Sequence, residues 1–121
     1  MTVVADLEAG IGTLTRLGDG AVDIVVIVIE PTPKSMEVGT RAAVVAAEKG
    51  IARQVIVANR VRDAADLEVI NAAFPGHEVF VVPDDRAIVE ADRHGVAPLD
   101  MAPDAPAVRA LSELAERLAP A

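Results

Sequence analysis

The sequence predicts an α/β fold in three layers, with a parallel sheet of about four strands between helices on both faces. Two observations carry this expectation. Hydrophobic residues make up 52% of the 121-residue chain while aromatics are only 2%, so the core has to be built from Val, Ile, Leu and Ala at short packing distances. Such a composition suits a parallel sheet under Ala-rich helices. Short segments rich in β-branched residues also alternate with stretches of helical period, the order that joins parallel strands through crossover helices.

Taken in order, the first strand is expected at VVA, residues 3 to 5, and it runs out into Asp6, Glu8 and Gly10. The second, DIVVIVI at 23 to 29, is apolar on both faces and is expected to be a central strand covered on both sides. PTPKSME then opens a helix, with Thr32 as cap and Pro33 in the first helical position, which runs to Lys49 before Gly50 ends it. QVIVAN at 54 to 59 is the third strand. The next helix begins after Asp63, presents Leu67, Ile70 and Phe74 on one face, and stops at Pro75-Gly76. EVFVV at 78 to 82 is the fourth strand, followed by a helix that starts after Asp84 and closes at Gly95. GVAPLDMAPDAP at 95 to 106 reads as a Pro-rich surface loop. The last helix begins near Asp104 and carries Val108, Leu111, Leu114 and Leu118 as one stripe over the sheet. No repeat, low-complexity tract or shift in composition divides the chain, so residues 1–121 are expected to form a single domain of Rossmann-like build.

Composition also narrows the function. A net charge of -8 with scattered basic residues argues against nucleic acid as a partner, because neutralising phosphates needs clustered Lys and Arg. No apolar run approaches the ~20 residues that span a bilayer, and the start lacks a signal-peptide pattern, so no membrane partner and a cytoplasmic location are expected. Without cysteine there are no disulfides, thiolate ligands or cysteine nucleophiles. His77 and His94 stand too far apart to suggest a metal pair and read as surface residues.

In open parallel sheets, ligands bind outside the carboxyl ends of the strands. Here those ends read Asp6 to Gly10, Glu30-Pro31-Thr32, Asn59-Arg60 and Pro83-Asp84-Asp85, all polar and all expected on one edge. Any one of them is also what a turn or cap would contain. Taken together with the sequence around them, they point further. DLEAGIGTLTRLGDGAVDIVVIVIEPTPKSMEVGTRA, then VIVANRV, then VPDDRAIVEADRHGVAPLD resemble the C-terminal half of the MinD-like P-loop ATPases, in particular the branch that matures carbon monoxide dehydrogenase, over nearly the whole chain.

The resemblance implies a Walker B and switch segment at Asp6 to Gly10, with Asp6 beside Mg²⁺ and Gly10 approaching the γ-phosphate; Glu8 is suited to orient a water and equally to a solvated turn. It implies that Asn59, in the Asn59-Arg60 segment, reads adenine, and that Pro83 and Asp84 help to form the base pocket through their backbone. The residue chemistry agrees: Asp6 is a hard oxygen donor, Gly10 leaves room for a phosphate, and the Asn59 amide offers both a donor and an acceptor.

The chain departs from the pattern in three respects. It contains no G-x-x-x-x-G-K-S/T loop to cradle phosphates, no cysteine pair for nickel, and Gly12 where relatives commonly carry an acid. The expectation is therefore the binding-site half of an ATP-using protein that needs a complementary P-loop half for ATP and Mg²⁺ and does not hydrolyse ATP alone. The alternative is an interaction module that keeps the fold without the chemistry. A receiver-like signalling domain fits less well, since Glu30 and Asn59 stand where its phosphoacceptor strand end would be. In the family the P-loop strand lies between the segments matching 2–5 and 23–29. Its absence is expected to leave residues 23–29 with a bare edge, and the partner to be a second copy of the chain or a separate P-loop polypeptide.

Overall fold

The structure, a computed structural model, describes residues 2–7, 11–16 and 22–119. Its elements in chain order are α1 (Ile11–Arg16), β1 (Ile24–Ile29), α2 (Pro33–Glu48), β2 (Arg53–Val61), α3 (Ala64–Ala73), β3 (Glu78–Pro83), α4 (Arg86–Arg93), α5 (Pro98–Met101) and α6 (Pro106–Leu118). The strands form a three-stranded parallel sheet in the order β1-β2-β3, with Ile27 opposite Ile56 and Val57 opposite Phe80.

Two apolar layers hold the sheet between helices. On one side Ile27 and Ile29 of β1, with Ile56 and Ala58 of β2, pack against Ala43 of α2 and Ile70 of α3, and Phe74 closes the layer. On the other, Val55, Val57, Phe80 and Val82 meet Ala107 and Leu114 of α6. Small residues set the closeness of the first layer. A Cβ built on Gly39 of α2 would stand 2.5 Å from a methyl carbon of Ile29 and 3.1 Å from the Phe74 ring, so glycine alone lets α2 lie this near β1.

The helix starts follow their caps. The Thr32 hydroxyl accepts from the Ser35 amide ahead of α2, and the Asp63 carboxylate accepts from the Asp66 amide at 2.9 Å ahead of α3. α6 begins at Pro106 and its cap residue, Ala105, offers no side-chain acceptor. Asp85 serves instead. One of its oxygens takes the Ala87 amide in the first turn of α4 and the other takes the Ala107 amide in the first turn of α6, both at 2.9 Å.

Four expectations are corrected. Residues 2–7 carry no strand, and Val3 and Val4 are 75% and 89% exposed, so the sheet has three strands among the described residues. A three-residue apolar run with no ladder partner lacks the backbone hydrogen bonds that would make it one. Among the described residues β1 is an edge strand, as the family resemblance implied, and not a central one. Its Ile27 and Ile29 are buried, but Val26 and Val28, on the α6 side, are 38% and 61% exposed because the layer under α6 is built on β2 and β3 and takes in only Ile24 of β1. The segment 95–106 is not wholly irregular, since Pro98 opens the short helix α5. Leu111, expected within the buried stripe of α6, is exposed.

Candidate functional site

The three strand ends meet where the sequence places them. β2 turns sharply at its end: Arg60 takes the left-handed conformation with φ 59°, and the β2–β3 register slips between Ala58 and Val61 before Val61 pairs with Pro83. Every residue with a Cβ finds that region sterically costly, and arginine has no local hydrogen bond to offset it. Longer-range contacts hold it here. The Arg60 Nη1 donates to Glu30 Oε1 at the end of β1 at 3.1 Å, and Nε donates to Asp84 Oδ1 beyond the end of β3 at 3.3 Å. One guanidinium therefore ties all three strands together at their carboxyl ends. Asp84 and then Glu30, through these hydrogen bonds, raise its pKa above the ordinary arginine value. The Asp84 amide donates to the Val61 carbonyl at 2.9 Å and fastens the same corner through the backbone.

The flanking residues are fixed as well. The Glu30 amide donates to the Ser35 hydroxyl at 2.8 Å, anchoring the end of β1 to the first turn of α2. Past β2, the buried Asp66 carboxylate accepts from the Arg62 amide at 3.0 Å and from its guanidinium Nε at 3.1 Å, which holds the turn between β2 and α3. The Arg62 guanidinium and then its amide lower the Asp66 pKa. Asp85 likewise lies below the ordinary carboxylate range, held there by the Ala107 and Ala87 amides.

Of the expected site residues, Asn59, Arg60, Pro83 and Asp84 are brought together. Asn59 is half-buried beside Arg60, and Pro83 is half-buried opposite Val61. Asp6 is exposed in the irregular segment 2–7 and takes no part in the ion pairs of Arg60. Glu8 and Gly10 lie outside the described residues. Glu30 joins the cluster although it was read only as a strand end; its position one residue past an apolar strand was the available signal. His77 and His94 are exposed, as expected. Among the described residues no group of His, Cys, Asp and Glu is arranged to hold a metal ion by itself. Mg²⁺ often takes only one or two protein carboxylates beside its phosphate ligands, so Asp6 fits it as a single ligand and no more. Among the described residues no helix is long and apolar enough to cross a membrane.

The parallel sheet, its two helical layers and its polar strand ends define an α/β domain of Rossmann-like build. No protein-family profile matches the chain. It is 32% identical over 102 residues to the carbon monoxide dehydrogenase accessory protein CooC of Rhodospirillum rubrum, a match covering 84% of this chain and 39% of that protein. It is 34% identical over 94 residues to an uncharacterised ATP-binding protein of Methanocaldococcus jannaschii, covering 74% of this chain and 36% of that protein. The MinD cell division protein of Aquifex aeolicus superposes with a TM-score of 0.68 at 20% identity, covering 81% of this chain and 44% of MinD, which bears on the fold. The chain is thus related to the MinD- and CooC-like P-loop ATPases, and it spans well under half the length of the curated relatives it matches.

Proposed function

We propose that this chain forms the base-reading half of a nucleotide site in a MinD/CooC-like ATPase that serves metallocofactor maturation. ATP and Mg²⁺ are held only together with a phosphate-binding segment from outside these residues. The observation that supports this most is the convergence of Asn59, Pro83 and Asp84 at one corner of the sheet. There the Asn59 amide has both a donor and an acceptor to offer a purine edge. Pro83 has no N–H, and the N–H of Asp84 is already given to Val61, so contacts from this backbone are made by acceptors. Such acceptors suit a base that carries an exocyclic amine, which adenine shares with guanine and cytosine; the choice of adenine follows the similarity to an ATP-binding relative. In this reading Asp6 is the Walker B acid at Mg²⁺, Glu8 orients water and Gly10 admits the γ-phosphate.

On this proposal the isolated 121-residue chain hydrolyses no MgATP above blank, because phosphate charge has no preorganised amides or lysine to meet it. Turnover at ordinary ATPase rates that is lost in Asp6→Ala would overturn the proposal. A second reading, an interaction module acting in the cytoplasm as a homodimer, is favoured by the bare valines of β1. The two separate on adding a P-loop polypeptide built from the remaining length of a relative: ATP binding appears in the first and not in the second.

A further inference from the structure

We infer that Arg60 is a positioning residue: paired with Glu30 and Asp84 it acts as a clamp that keeps the end of β2 in its left-handed turn and so sets the direction of Asn59. The inference deepens the nucleotide-site reading and rests on it for the role of Asn59.

Three observations converge. Arg60 is the one residue other than glycine with a positive φ among the described residues. The strain coincides with the register slip between Ala58 and Val61, so both changes in chain direction fall on the two residues between them, Asn59 and Arg60. The Arg60 side chain, 63% exposed, spends its hydrogen bonds on the ends of the two neighbouring strands. A guanidinium so occupied is neutralised by two carboxylates, and the triad carries a net negative charge that does not favour phosphate. Its role is therefore mechanical. The planar fork reaches two acceptors at fixed angles, which a lysine ammonium does not reproduce. Without the clamp, the sterically preferred course for residue 60 is the ordinary extended conformation, and a change in the direction of the chain at 60 carries Asn59 with it.

The test uses the ¹⁵N-labelled chain, the double variant Glu30→Gln with Asp84→Asn, and Arg60→Gly. The amide-to-Hα coupling and carbon shifts of residue 60 report its φ without ligand, and titration with adenosine reports binding. Glycine populates the left-handed region without a clamp and separates backbone geometry from the guanidinium. The double variant is expected to lose the left-handed signature at residue 60 and to bind adenosine about three- to tenfold more weakly, the size expected for two exposed pairs. Arg60→Gly is expected to lose less affinity than the double variant. An unchanged signature in the double variant overturns the clamp. So does an equal or larger loss in Arg60→Gly, which would mean that the guanidinium touches the ligand itself. If wild-type protein shows no shift with adenosine, the nucleotide reading fails, and the clamp is then upheld or overturned by the residue 60 signature alone.

Discussion

At the scale of single residues, Gly39 and Asp85 carry the sharpest expectations. A methyl group on Gly39 must displace Ile29 and Phe74, both deeply buried, and overpacking of this kind costs about 1–3 kcal/mol. Gly39→Ala should therefore lower the urea midpoint without changing the slope, although alanine is the better helix former. Asp85 binds an amide in each of two helices, so its folded pKa lies below the value of about 4 in the unfolded chain. The same sign holds for Asp66. Groups with depressed pKa stabilise the fold fully above about pH 4, and that contribution is lost as pH falls through the lower folded values. Chemical denaturation between about pH 5 and pH 2 should show stability falling on acidification. In Asp85→Asn, which keeps an acceptor oxygen and loses the charge, the fall should be shallower; an equal slope would remove Asp85 from the account. The turn and cap chemistry of Thr32, Pro33 and Asp63 was legible in the sequence because it depends on near neighbours. The left-handed Arg60 was not, because what holds it lies 30 residues before it at Glu30 and 24 after it at Asp84.

At the scale of elements, β1 is where sequence and structure part. Its six residues IVVIVI are apolar on both faces, and from that alone a strand buried on both sides follows. Periodicity says what a strand is built to be covered by, and it cannot say whether the cover belongs to the same residues. α2 supplies one side, and Val26 and Val28 remain open on the other. An apolar edge with an open ladder is a pairing surface. If the proposed homodimer forms there, Val28→Lys should dissociate it in sedimentation equilibrium while changing the stability of the monomer by only about 0.5 kcal/mol, as exposed substitutions do. A wild-type chain that stays at 12.6 kDa across micromolar concentrations would exclude the dimer. α5 was legible in principle, since Pro98 after Ala97 is a first-turn signal, but the prolines that follow it are equally what a surface loop contains.

At the scale of the whole molecule, the α/β class and the side of the sheet that holds the candidate site follow from strand order and the rule for strand ends. Which ends cooperate does not. Glu30, Arg60, Pro83 and Asp84 are gathered by the β2–β3 slip and by ion pairs, whereas Asp6, at the end of an expected strand that does not form, takes no part in those ion pairs. On the proposed reading the residues for the base and those for the phosphates are thereby divided, and of the two sets only Asn59, Pro83 and Asp84 are gathered among the described residues. Calorimetric titration of the chain with adenosine and with MgATP, repeated in Asn59→Ala, tests that division most directly. The account predicts similar affinities for the two ligands and a loss of about 1–3 kcal/mol for both in Asn59→Ala, the cost of an unpaired purine edge. MgATP binding far more tightly than adenosine, with affinity indifferent to Asn59, would contradict it.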